Sequence, residues 1–175
     1  MIRALGKQNW NQVASVFLIN LVLLLLPQAA HASHFWTAVG SSGVVDESAL
    51  GIYADTGFAL TYANTGSLAN ITARYNVTET FVLAGTGENP GWSTLEMRSN
   101  APTFSTVSVV LTRVNPLDGS TSNICSVTND GLGVARRHCS LRESFDFSSF
   151  VYYITATLSR TNTSAVPTLG TLRIF

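Results

Sequence analysis

The chain has 175 residues, ten Lys and Arg against ten Asp and Glu, 46% hydrophobic residues and two cysteines. That length gives one domain as the first expectation, and the neutral balance supplies neither a basic footprint for nucleic acid nor an acidic tail. Two cysteines are too few for a disulfide-dense miniprotein or a four-thiolate zinc site.

Residues 1–32 read as a secretory signal peptide. Arg3 and Lys7 give a positive start, Val13 to Leu26 runs apolar with only Ser15 and Asn20 interrupting, and Pro27 ends the run. Ala30-His31-Ala32 then supplies small residues at the two positions a signal peptidase reads. A membrane-spanning helix needs about 20 apolar residues, more than this run contains. Cleavage between Ala32 and Ser33 would leave 33–175 as the mature domain, secreted or periplasmic. From residue 33 onward there are eight Arg, no Lys and ten acids, a net charge of −2. Ser and Thr make up 38 of those 143 residues, so a large share of the surface is hydroxylated. No later apolar run is long enough to insert in a membrane.

The mature part has a period of two. Candidate strands at 35–39, 49–54 and 58–63 come first. In 68–78, Ala69, Ile71, Ala73, Tyr75 and Val77 alternate with Asn70, Thr72, Arg74, Asn76 and Thr78, which predicts one dry and one wet face. Short candidates follow at 80–84 and 93–98. Val107, Val109 and Leu111 then form an apolar face opposite Ser108, Val110 and Thr112. Candidates at 122–128 and 133–141 precede Phe150 to Arg160. There Phe150, Tyr152, Ile154, Ala156 and Leu158 share a face. The last candidate, 169–175, reads as an ordinary closing strand inside a sheet.

Turn signals separate these segments. They include Asp55-Thr56-Gly57, Asn64-Thr65-Gly66, Asn89-Pro90-Gly91, Asp118-Gly119 and Asn129-Asp130-Gly131. Asp118-Gly119 predicts a hairpin loop. Cys125 and Cys139 are expected to bridge, as a single pair does in an oxidising compartment. Their midpoint, residue 132, lies in a turn, so a hairpin centred there would set the thiols opposite each other.

Sites of chemistry are sparse. Asp55-Thr56-Gly57 matches the turn of aspartic proteases, but Phe58 follows where a small residue is needed, and the string serves as a plain turn. His31 leaves with the signal, His34 starts the mature chain and His138 adjoins Cys139, with no nucleophile elbow or metal spacing around them. Asp46, Glu47, Glu79, Glu88, Glu96, Glu143 and Asp146 read as surface acids. Arg136, Arg137 and Arg142 read as a solvated face partly neutralised by Glu143 and Asp146. Trp36, Trp92, Tyr62 and Tyr153 are the aromatics considered for the surface. Trp92, in the loop Asn89-Pro90-Gly91-Trp92, is the candidate sugar-stacking ring, with Asn89 as a polar neighbour. Asn70, Asn76 and Asn162 sit in glycosylation sequons, and the sequence leaves open whether they carry glycans.

The reading is an all-β, single-domain antiparallel β-sandwich, jelly-roll or immunoglobulin-like, of about eight to ten strands. A closed β-barrel is the alternative. A hydroxylated face over a β core suits an exported, non-catalytic module that binds a glycan or a cell-envelope partner. The alternatives are a structural or assembly subunit and, third, a hydrolase. No cofactor and no metal is expected.

Overall fold

In the computed structural model the described residues are 35–63, 66–78 and 90–175. The expected signal segment 1–32 with the expected cleavage site at Ala32 and Ser33, the candidate strand 80–84 and Asn89 lie outside them. Eleven strands form two antiparallel sheets. In chain order they are β1 (Trp36–Val39), β2 (Val44–Val45), β3 (Tyr53–Asp55), β4 (Leu60–Tyr62), β5 (Ile71–Val77) and β6 (Thr94–Ala101). Then come β7 (Ser105–Val114), β8 (Thr121–Asp130), β9 (Gly133–Ser140), β10 (Val151–Arg160) and β11 (Thr168–Ile174). Sheet A has the order β3-β4-β11-β6-β9, with β1 also on β11; sheet B has the order β2-β5-β10-β7-β8. The strands close into no barrel, so the sandwich is the architecture and the barrel alternative falls. The eleven strands of the described residues exceed the expected eight to ten by one, and the two-residue β2 falls in no predicted segment.

The period of two explains the core. From β5, Ile71, Ala73, Tyr75 and Val77 are buried; from β10, Tyr152, Ile154, Ala156 and Leu158; from β7, Val107, Val109 and Leu111. Sheet A supplies Leu60, Leu95, Met97, Leu169, Leu172 and Ile174 to the same interior. Each such Val, Leu, Ile or Met side chain contributes about 1.5–3 kcal/mol by leaving water. Close backbone approach is also built in: a Cβ at Gly40 would lie 2.0 Å from the Leu169 carbonyl oxygen. The Gly40 carbonyl accepts a hydrogen bond from the buried Tyr75 hydroxyl at 2.5 Å. Burial pushes that phenol well above its ordinary range.

The chain crosses between sheets at most of its connections. Local antiparallel pairing joins only β3 to β4 and β7 to β8 among consecutive strands. The β7–β8 turn is the predicted Asp118-Gly119 hairpin, with Gly119 at φ 71. The predicted hairpin at residue 132 does not form. Gly131 and Gly133, at φ 61 and 68, lead the chain out of sheet B into sheet A, so β8 pairs β7 and β9 pairs β6. Asn129, fully buried, closes that end by donating to Ser99 Oγ at 3.1 Å and to the Gly133 carbonyl at 2.9 Å.

The disulfide exists, but it spans sheets rather than a hairpin. Cys125 on β8 and Cys139 on β9 are bonded with Cα atoms 6.3 Å apart. Both strands are the edges of their sheets on the same side of the sandwich, so the bridge ties an edge that no ladder joins among the described residues. The closing strand β11 is internal, flanked by β6 on one side and by β1 and β4 on the other.

Replacing both cysteines, Cys125→Ala with Cys139→Ala, should lower stability by about 3 kcal/mol, the loop-closure value for a loop of this length. Urea unfolding reads it directly; an unchanged midpoint would show that packing alone holds the edge.

Candidate functional site

The outer face of sheet A carries a depression with a volume of about 540 Å³. It is built by three strands whose outward residues fall in rows. On β6, Leu95, Met97, Ser99 and Ala101 are buried, which turns Glu96, Arg98 and Asn100 outward. Register then places Thr168 of β11, Asn100 and Val134 of β9 in one row. Thr171, Arg98 and Arg136 form the second row, and Arg173, Glu96 and His138 the third. Successive rows are about 7 Å apart along a strand.

Gly170 makes the floor. It is the extra residue where the β11–β6 register shifts between Leu169 and Thr171, a β-bulge. A Cβ there would sit 3.3 Å from the Arg98 carbonyl oxygen and 4.0 Å from the Phe58 ring. Without one, the groove between Phe58 and Arg98 stays open. Phe58 is 62% exposed and forms the wall beyond β11. Its loop is the Asp55-Thr56-Gly57 turn, with Gly57 at φ 74 and the Thr56 amide donating to the Ala59 carbonyl at 2.9 Å. Ser41 Oγ pins the loop by donating to the Gly57 carbonyl at 2.8 Å. The protease-like string is therefore a turn whose consequence is to present Phe58.

Charge on this face is organised around Glu96. Contrary to the surface reading, it is buried, at 5% exposure. Arg136 Nε lies 3.0 Å from one carboxylate oxygen and Arg98 Nε 4.0 Å from the other. The arginine side chains themselves stay more than half exposed. Arg173 is steadied differently, with its guanidinium 5.1 Å from the Phe35 ring centroid and 5.5 Å from that of Phe175. The predicted Arg136-Arg137-Arg142 cluster is not one surface: the strand alternation sends Arg136 outward and Arg137 inward. Glu143 pairs instead with Arg113 at 2.7 Å.

Trp92 is buried, at 6% exposure, and packs edge-on against Phe145 and Phe147 with centroids 5.0 and 6.0 Å away. Little of the ring is left to stack on a sugar, because the loop before β6 folds it onto the 145–147 segment. Trp36 and Tyr62 are buried as well. Asp146 secures the segment beneath Trp92. Its Oδ1 accepts from Ser148 Oγ at 2.6 Å, from the Ser148 amide at 3.1 Å and from the Ser149 amide at 3.2 Å. Hydrogen bonding from Ser148, then Ser149, holds this carboxyl below its usual range. Asn70, Asn76 and Asn162 are all exposed. Among the described residues no group of three or more His, Cys, Asp and Glu is placed to hold a metal ion, and no helix is long and apolar enough to cross a membrane.

A second depression, on the outer face of sheet B between Val44, Asp46, Arg74 and Asn76, has about half the volume, 270 Å³, and no aromatic wall. The sheet A face was missed from sequence because its rows join residues far apart in the chain. Only the alternation of Glu96, Arg98 and Asn100 was there to be read.

No protein-family model and no curated protein matches the sequence. Solved structures of similar outline include a carbohydrate-binding module, CBM36, in complex with calcium and xylotriose. It is 11% identical, with TM-score 0.47, over 80% of this chain and 99% of that one. A xylan-binding module, CBM15, is 12% identical with TM-score 0.45, over 81% and 95%. The module CsCBM6-3 from Clostridium stercorarium, in complex with cellobiose, is 13% identical with TM-score 0.43, over 78% and 91%. At these identities and scores no residue role is transferred.

Trp92→Ala should destabilise the fold by about 3–5 kcal/mol, the range for truncating a buried aromatic, as measured by chemical unfolding. Loss of glycan retention without that cost would instead place the ring in a binding site. For Asp146 the folded-state pKa is depressed, so its stabilisation is present above the unfolded value of about 3.9 and is lost as pH falls through the folded value. Asp146→Ala should therefore lower the thermal midpoint at pH 6, and the difference from the parent should shrink as the pH is taken down towards 2.

Proposed function

We propose that the protein is an exported, non-catalytic module that binds a glycan across the outer face of sheet A. The observation that carries the reading is the exposed Phe58 ring beside the side-chain-free floor at Gly170, with Arg98, Asn100 and Arg136 around it. A pyranose presents an apolar C–H face and a rim of hydroxyls. The first suits a flat aromatic ring; the second suits amide and guanidinium donors. A volume of about 540 Å³ falls within the range of small-ligand sites, enough for a short stretch of sugar chain. The groove is open along the sheet rather than enclosed, which suits a polymer passing through it. Export is supported by the signal-like pattern of residues 1–32 and by the Cys125–Cys139 bridge, which persists in oxidising compartments.

Phe58 lies outside the core, so Phe58→Ala should leave the unfolding free energy within about 0.5 kcal/mol of the parent's. It should also reduce retention in affinity electrophoresis through polysaccharide gels by up to about tenfold, since a ring contact is worth about 0.5–1.5 kcal/mol and 1.4 kcal/mol is a factor of ten. Retention equal to that of the parent protein would remove this face from the site.

A further inference from the structure

We infer that the glycan taken by this face is acidic, a polyuronate whose carboxylates meet Arg98, Arg136 and Arg173. The inference rests on the glycan-binding reading of the same face and adds the class of sugar.

The argument is one of charge placement. From residue 33 on, the chain carries a net charge of −2, with eight arginines and ten acids. The outer face of sheet A runs against that balance. Three of the eight arginines stand on adjacent strands there, in two neighbouring rows, and the only acid among the three rows is Glu96. Arg98 and Arg136 are direct register partners, an arrangement in which like charges repel. Glu96 offsets one of them from below, leaving the three rows at a formal +2.

Glu96 also orients what it offsets. Its buried carboxylate lies 3.0 Å from Arg136 Nε, and among the described residues no hydrogen bond engages the two terminal amino groups of that guanidinium. A carboxylate meets such a fork with two parallel hydrogen bonds, a match that an ammonium does not make. The cations from residue 33 on are arginines without exception. Arg173 stands in the next row, about 7 Å along the strand, and its guanidinium is held near Phe35 and Phe175. Two rows of cations fit a chain that repeats its carboxylates. The neutral end of the groove, with Phe58, Asn100 and Val134, is left for ring stacking and hydroxyl contacts. Three cations on a negatively charged chain do not make the long phosphate-contacting stripe of a nucleic-acid site.

The test uses the purified protein with polygalacturonate and its methyl ester, the same sugar with the charge removed. Isothermal titration should show polygalacturonate bound at least about tenfold more tightly than the ester near 20 mM NaCl, with the gap closing near 500 mM as exposed charges are screened. Arg98→Gln and Arg136→Gln should each weaken polygalacturonate binding about tenfold and ester binding by distinctly less, so that the preference for acid over ester falls; an equal loss on both would overturn the acidic assignment. Because Arg136→Gln strands a buried carboxylate, the pair Glu96→Gln with Arg136→Gln is measured beside it; near-ultraviolet circular dichroism confirms the fold, and the same loss is expected. Equal affinity for acid and ester would overturn the acidic assignment while the glycan reading stands. Dextran sulfate bound as tightly as polygalacturonate, with the same losses in the arginine variants, would overturn the carboxylate assignment in favour of charge alone. No binding to either form, nor to neutral polysaccharides, would bring down the glycan reading itself.

Discussion

Strand β11 is the constraint on which the rest of sheet A depends. It satisfies backbone groups along both edges, with β6 on one side and β1 and β4 sharing the other. Its inward residues Leu169, Leu172 and Ile174 are fully buried. A strand so committed has little freedom to slip, because a one-residue shift would exchange its core face for its solvent face. The bulge at Gly170 is the one place where its register changes. That extra residue re-aligns Thr171 opposite Arg98 and leaves a position without a side chain beneath Phe58. The groove is thus a consequence of how the central strand is accommodated.

The outer face is held from the other side by the edge disulfide. β9 contributes Val134, Arg136 and His138 to the rows, yet among the described residues it is an edge strand with a single ladder partner, β6. Cys139 points inward from the same strand and is bonded to Cys125 of sheet B. Restraining β9 at that point keeps Arg136 in register with Arg98 over the buried Glu96. Stability and the site are therefore coupled through one strand: the inward alternation of β9 secures the sandwich, and the outward alternation carries the charge.

A buried cation shows how differently the fold treats its arginines. Arg160 is 4% exposed at the end of β10. It donates Nε and Nη2 to the Ser67 carbonyl at 2.9 and 2.8 Å, and Nη1 to the carbonyls of Thr163 and Ala165 at 3.0 and 3.1 Å, while its guanidinium lies 4.0 Å from the Tyr62 ring centroid. Carbonyl oxygens and a ring face satisfy it, and it is used to tie loops down. Arg98 and Arg136, by contrast, hold their charge outward over an anion. Burial with complete donor satisfaction marks a structural arginine; a guanidinium held by one edge and open at the other marks one available to a ligand.

The amino-acid sequence by itself determined the element type, the inward faces of β5, β7 and β10, the turn at Asp118-Gly119 and the identity of the disulfide partners. All of these depend on neighbours two residues apart or on the pairing of the only two thiols present. The tertiary structure decided what alternation leaves open. A period of two says that a residue faces in or out, but not which strand lies beside it. The sheet change at Gly131 to Gly133, the burial of Trp92 on Phe145 and Phe147, and the row of Arg98 and Arg136 over Glu96 each depend on pairings between distant segments. Glu96 reads as a surface acid in isolation, and Phe58 as a misfit after a motif. Their environments are set by β9, β11 and the Gly170 bulge, all far from them along the chain, because strand pairing is a long-range choice governed by packing of the whole sandwich.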